Sequence, residues 1–477
     1  YGCVYAWNTM DIGKIEEWHK EQSELDLYES VSTDTQVFIW LKLCRHSLIS
    51  KLKNTDMKSQ MNALDSIFEL RWIVYQILIH NINSIALQFP DALLPLSPLI
   101  NATLEFLLIK ASHFCNKVNQ SDDEFHQVYI LGDTTHGACC ADEVAAQHMD
   151  CELIVHFGHS CLSLPFSINV LRILPKYGFQ YASVLPQVIV HSIIRSLTAK
   201  RNVCNPICAV FLDVGMLYIR QNLIDYISSE KVRQLLNSLD LNTEIIVSQA
   251  SSDSSKIVIP KDTSVSTPSS AFYCGSLMID VEFKQIEDPN CTRVLYVGSN
   301  VEESASLRNL AMKLGSHQLD ILDIHRICEK FNEKSLNLNL ESDDFEQLFT
   351  ENDDLFHENL VIRLRKEVMK RFHVIGKVRE AQRIGILAGT LGIENSLEMI
   401  QECSQRIENS GRRAHIVLVG KPTVAKLANF TELEAFVLIA CTESTLLKDY
   451  REYYQPVLTP FELDLALELS KDRMEFN

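Results

Sequence analysis

The sequence predicts an α/β protein of three related units, each a small parallel sheet flanked by helices. Three observations carry this. Apolar runs of strand length alternate with segments of helical periodicity along most of the chain, the order that builds parallel sheets. Several of those runs stop at a glycine, as in Leu131-Gly132, Phe157-Gly158 and Val297-Gly298. At 477 residues, with 46% hydrophobic and 22% charged residues, the chain has the length for more than one core and the balance of an ordinary globular protein.

Residues 1–62 are polar, charged and irregular, and are assigned to an N-terminal extension. The first α/β domain is read over residues 63–200. From Ser66, IFELRWIVYQILIHN spaces its apolar residues as a helix that Asn81 or Asn83 ends. Ser84 to Phe89 is a short strand stopped by Pro90-Asp91, and a helix follows from Leu94 to about Lys117. Val128 to Leu131 is the next strand. It breaks at Gly132-Asp133 into a polar turn ending in Gly137-Ala138-Cys139-Cys140. A helical pattern leads to the strand Leu153 to Phe157, which ends in Gly158-His159-Ser160-Cys161. A helix after Pro165 and a strand near Tyr181 to Leu185 bring this unit to about four strands.

The second domain, 201–378, opens with the strand Cys208 to Leu212, a helix near Met216 to Ser228 and a strand at Glu244 to Ser248. Residues 251–270 are rich in Ser, Thr and Pro and read as a loop. Val294 to Val297 is a strand closed by Gly298-Ser299; acidic residues crowd 341–354; Glu358 to Ala381 is one long helix. That helix carries Arg363, Arg365, Lys366, Lys370, Arg371, Lys377 and Arg379, a basic face that is either solvated or docks an anionic partner. The third domain with the C-terminal tail, 379–477, has strands at Ile384 to Leu387, Ile416 to Val419 and Phe436 to Ala440, with a helix running to about Asn409. Its last strand ends on Cys441, and a Pro-containing segment from Tyr453 to Glu462 closes the domain.

Composition narrows the function. With 44 Lys and Arg against 62 Asp and Glu, the formal net charge is -18, which disfavours direct binding to nucleic acid. No window approaches about 18 consecutive apolar residues, so no membrane helix is expected, and no signal peptide is visible. The chain starts at Tyr1 rather than Met, which suggests a fragment or an uncertain gene model. Its 14 cysteines without a secretion signal fit reduced thiols of a cytoplasmic protein, most of them buried small hydrophobes.

Three thiols directly follow strands: Cys139, Cys161 and Cys441. In open α/β sheets ligands bind at the carboxyl ends of the strands, so Cys139 and Cys161 are expected to face a shared site. Thiolates bind soft metals, and iron–sulfur clusters accept ligands from separate loops. Zinc competes, although no pair has the compact spacing of a zinc ribbon. Cys139-Cys140 also suggests a nucleophile, with His136, His156 or His159 as base. Cys204 and Cys208 read as core residues, and Gly389-Thr390-Leu391-Gly392 could hold an anion at a helix start.

Five segments together carry a specific resemblance: GDTTHGACCADEVAAQH, LIVHFGHSCLSLP, ILAGTLG, VGKPTVAKLANFTELEAFVLIAC and YYQPVLTPFEL. Spanning about residues 66–465, they resemble the diphthamide synthase family, in particular its eukaryotic subunit 2. The resemblance implies three homologous Rossmann-like domains converging on a central 4Fe-4S cluster. It implies transfer of a 3-amino-3-carboxypropyl group from S-adenosylmethionine to a histidine of elongation factor 2. In eukaryotes two subunits pair; subunit 1 holds the catalytic cluster, and subunit 2 assists its reduction with an electron-donor protein. Carried over, the first-domain ligand falls on Cys139 and the third-domain ligand on Cys441. The second-domain ligand of the catalytic subunit falls beside Cys274, in Ala271-Phe272-Tyr273-Cys274-Gly275-Ser276, without matching it clearly. Cys161 is therefore preferred as third ligand, and the chain is expected to be the accessory subunit rather than a transferase acting alone or a scaffold.

Overall fold

The structure is a computed structural model. It describes residues 64–65, 67–115, 126–132, 139–199, 207–239, 243–250, 257–259, 272–274, 277–279, 292–299, 301–302, 304–314, 319–333, 356–389, 396–419, 422–441 and 453–474. These form two compact units: the described residues up to Pro175 together with 257–259, and the remaining described residues from Lys176 onward.

In the first unit the helix Leu70–Ile79 ends at His80, and Asn81 turns the chain with a positive φ of 52°. Strands follow as β1 Ser84–Gln88, β2 Gln127–Leu131, β3 Leu153–Phe157 and β4 Asn169–Ile173, with helices Ser97–Cys115 and Glu143–His148 on either side of β2 in the chain. All three pairings are parallel, in the order β2-β1-β3-β4. Because side chains alternate along a strand, each face has its own core. Ile85, Leu87, Val155, Phe157 and Leu171 pack with the helices that precede β1 and β2. Ala86, Leu131, Ile154 and Val170 pack with Ala146 of the helix before β3.

Two expectations for this part of the chain fail. The fourth strand is β4, where a helix was expected after Pro165. The stretch near Tyr181 to Leu185 is instead a 3-10 turn, Phe179–Tyr181, leading into the helix Leu185–Ala199. Apolar residues at Ile168, Val170, Leu171 and Ile173 suit neither period cleanly, so spacing alone misassigns them. The segment Leu94–Ala111 is also long and apolar enough, by length and composition, to cross a membrane. It escapes a search for consecutive apolar residues because Asn101, Thr103 and Glu105 interrupt it. Here it lays Leu96, Ile100, Leu104, Leu108 and Ala111 into the core.

The second unit holds two more four-stranded sheets. One uses β5 Ile207–Leu212, β6 Glu244–Val247, β10 Thr292–Gly298 and β11 Leu319–Asp323, in the order β11-β10-β5-β6. Between β6 and β10 lie short antiparallel strands, β7 Gln249–Ala250, β8 Phe272–Cys274 and β9 Leu277–Ile279, in the order β7-β9-β8. The other uses β12 Arg383–Ala388, β13 Arg413–Leu418, β14 Ala435–Ile439 and β15 Val457–Leu458, in the order β13-β12-β14-β15. Pairing within both large sheets is parallel. Numbered within its own sheet, each of the three large sheets has the order 2-1-3-4.

The long basic helix runs Glu358–Val378, and its face is not uniformly solvated. Arg371 is buried, its Nε 2.7 Å from Glu462 Oε1 on the C-terminal helix Pro460–Met474. A buried pair of this kind fastens two helices through charge and two-point hydrogen bonding. Residues 1–62, the acidic run 341–354, Cys204 and the residues 390–392 of the Gly-Thr-Leu-Gly motif lie outside the described residues.

Candidate metal centre

A 2-1-3-4 parallel sheet reverses its direction of growth between its first and third strands, and ligands bind beyond the carboxyl ends at that crevice. In the first unit those strands are β1 and β3. Gln88, the last residue of β1, is buried and uses both ends of its amide. Its Nε2 donates to Cys140 O at 2.8 Å, and its Oε1 accepts from Asp142 N at 2.8 Å. Asp142 then caps the helix Glu143–His148 by accepting from Ala145 N at 3.1 Å. The tandem cysteines are thus held between the end of β1 and a helix start.

The other side of the site is built after β3. Gly158 has a φ of 102° and runs so close to Pro90 that a Cβ would sit 3.2 Å from its Cγ. Leu162 also takes a positive φ, 54°, uncommon for a branched residue, and turns the chain immediately after Cys161. Glu143, buried, secures the following loop. Its carboxylate accepts from Phe166 N (2.8 Å), Ser167 N (2.6 Å), Ile168 N (3.0 Å) and Ser167 Oγ (2.9 Å). Cys161 N donates to Cys139 O at 3.1 Å, joining the two halves directly.

Three thiols meet there. Cys140 Sγ lies 3.8 Å from Cys139 Sγ and 3.6 Å from Cys161 Sγ, and the three sulfurs are within 4.8 Å of one another. Cys161 Sγ also contacts Ser163 Oγ at 3.2 Å. The expectation that Cys139 and Cys161 face one site holds in this geometry. Cys140, read from sequence as a mere neighbour, stands between them. The tandem Cys-Cys was the available signal, but in a turn its two side chains need not point the same way.

Beneath the thiols runs a buried polar row. Gln88, His156 and Arg172 are in register across β1, β3 and β4 and share one face of the sheet. They are 1%, 1% and 5% exposed. Burial pushes the Arg172 guanidinium below its ordinary value, while Cys161, Glu143 and Cys140 act in the opposite sense. An all-sulfur, partly buried donor set beside a buried cation fits a thiolate-bound centre, and iron–sulfur clusters are held by such donors.

The nucleophile reading fares less well: Cys140 has sulfur on both sides, His156 belongs to the buried row, and His136 lies outside the described residues. In the second unit Cys441 is buried, two residues after β14. Cys274 ends β8; its side chain lies outside the described residues. Cys208, as read from sequence, is core. It sits in the hydrophobic cluster of the β5 sheet, and burial pushes its thiol up to about 12.

The fold and this geometry define an α/β protein with a sulfur-lined site at the carboxyl edge of a parallel sheet. Residues 89–337 and 356–476 match the family described as putative diphthamide synthesis protein, and the chain belongs to that family. It is similar to 2-(3-amino-3-carboxypropyl)histidine synthase subunit 2 of Danio rerio, 29% identical over 81% of this chain and 64% of that protein. It is likewise 29% identical to the protein of the same name from Schizosaccharomyces pombe, over 85% of this chain and 65% of that one. The chain thus spans slightly less than two thirds of the length of these curated relatives. A crystal structure of Dph2 from Pyrococcus horikoshii with 4Fe-4S cluster aligns with a TM-score of 0.49 and 16% identity, covering 84% of this chain and 91% of that one.

Proposed function

We propose that this chain is an iron–sulfur accessory subunit of a heterodimeric synthase in the cytoplasm. The complex would transfer a 3-amino-3-carboxypropyl group from S-adenosylmethionine to a histidine of elongation factor 2, the first step of diphthamide biosynthesis. Family membership supports the reaction class. The observation that carries the metal reading is the convergence of Cys139, Cys140 and Cys161 at one edge of the sheet. In this reading Cys139, Cys161 and Cys441 hold a 4Fe-4S cluster, with Cys140 in reach as a further thiol. When bound, such a cluster accepts and releases single electrons, with a potential set by burial and by hydrogen bonds to sulfur.

The chain's own residues provide the setting. Gln88 and Asp142 fix the Cys139-Cys140 turn, and Glu143 fixes the loop after Cys161. The common 2-1-3-4 order of the three sheets supports a reading as three related Rossmann-like domains. Subunit 1 as partner and an electron-donor protein complete the proposal.

The test is anaerobic purification of the chain alone and with subunit 1, followed by iron, sulfide and turnover assays. Iron and sulfide should accompany the chain and fall sharply in Cys139→Ser and Cys441→Ser. Turnover should need both subunits. A metal-free chain giving full activity in the heterodimer would remove the accessory role. Cleavage of S-adenosylmethionine by the isolated chain would reassign it as catalytic.

A further inference from the structure

We propose that Arg172 is the buried counter-charge of the thiol site, a positioning residue that raises the reduction potential of the centre those thiols hold. This rests on the iron–sulfur reading above and adds a residue that none of the sequence motifs contains. Arg172 lies in β4, behind the site rather than in either cysteine loop. Its Nη2 donates to Ser163 O, and Ser163 Oγ contacts Cys161 Sγ at 3.2 Å. The guanidinium therefore reaches the ligand loop through one residue.

Charge accounting leads to the same place. Arg172 is 5% exposed, and its Nη1 has no hydrogen-bond partner among the described residues. Glu143, whose carboxylate accepts four bonds from residues 166–168, acts on it through space. A buried cation is stabilised by negative charge placed close to it. Cys161 and Cys140 act on Arg172 in the same sense as Glu143. Thiolates and a reduced cluster carry negative charge, so a fixed positive charge behind them favours the reduced form.

The experiment is an EPR-monitored redox titration of the full chain, reconstituted anaerobically, in wild-type, Arg172→Lys and Arg172→Met forms. Circular dichroism and iron content are read first. The Met variant keeps the stem and removes the charge. Its ratio of reduced to oxidised centre at fixed potential should fall about tenfold, a shift of ~59 mV for a one-electron couple. The Lys variant should stay near wild type. A Met variant with full iron and an unmoved potential would overturn the proposal and leave the iron–sulfur reading standing. No iron–sulfur signal in the wild type would overturn both. Should the Met variant fail to fold, wild-type protein labelled with 15N-guanidino arginine decides. Pulsed EPR of its reduced centre should show a nitrogen coupling that Arg172→Lys removes, and no such coupling would refute the counter-charge.

Discussion

The carboxyl edges of the β1 sheet and the β5 sheet share a strand order and differ in chemistry. Both sheets run 2-1-3-4, so both present a crevice after their first and third strands. In the β1 sheet the loops there bring three thiols together over a buried Gln-His-Arg row. In the β5 sheet a carboxylate with a structural role follows the first strand and another ends the fourth. Asp213, after β5, accepts from Val214 N at 2.8 Å and caps a 3-10 turn. Gly298, at the end of β10, lies so close that a Cβ would approach Asp213 Cβ to 3.2 Å. Asp323, at the end of β11, accepts from His325 N at 3.0 Å. The described cysteines of that sheet's core, Cys208 and Cys328, sit in a hydrophobic cluster, and burial pushes both thiols up to about 12. A topology therefore supplies an edge. Which side chains the edge loops carry, and whether the strands beneath them bury a compensating charge, decides what the edge can bind.

The largest expected difference between the two edges is in metal. Cys161→Ser should lower iron content by more than the ~10–100-fold that loss of an outer-shell partner costs, whereas Cys208→Ser should keep it. Equal iron in both variants would erase the distinction. Next comes the loop anchor. Glu143→Gln removes a carboxylate that holds three backbone amides and should cost about 1–3 kcal/mol in urea unfolding. Hydrogen exchange at Phe166, Ser167 and Ile168 should speed up with it, and unchanged protection there would show that the loop is held by something else. At the other edge Asp213→Ala loses a cap, worth ~1 kcal/mol, with no change in iron content.

The smallest effect is in pH. Burial, opposed by the hydrogen bond from His325 N, raises the Asp323 carboxyl above its ordinary value. A folded chain that holds this proton when the unfolded chain has released it gains stability as pH falls. The contribution is complete below the unfolded value near ~3.9 and is lost as pH rises through the raised folded value. Urea midpoints of wild type and Asp323→Asn measured across that window should converge toward acid in this sense; parallel curves would refute the assignment.

Much of the fold was legible because it rests on period and punctuation. Leu153 to Phe157 is a continuous apolar run closed by glycine, and β3 occupies those residues. The long helix reads from Glu358 as expected, ending at Val378. What failed depends on partners far away in sequence. β4 has no alternation to mark it and becomes a strand by pairing with β3 from Leu153 to Phe157. β11, unread in the sequence, is a strand through its pairing with β10. Arg371 looked like one more surface cation until Glu462, 91 residues on, came to meet it.

For the site, sequence by itself determined the inventory: a strand, a turn with two adjacent cysteines, a second strand, a glycine and a third cysteine. Strand order dictates that such turns lie at one end of the sheet, so Cys139 and Cys161 could be paired before any coordinates. Only the tertiary structure decided that Cys140 stands between them and that Gln88 and Arg172, 84 residues apart, support the turns from one buried face. The physical reason is that a side chain's direction in a turn depends on backbone torsions and on hydrogen bonds to distant strands. Local residue type encodes neither.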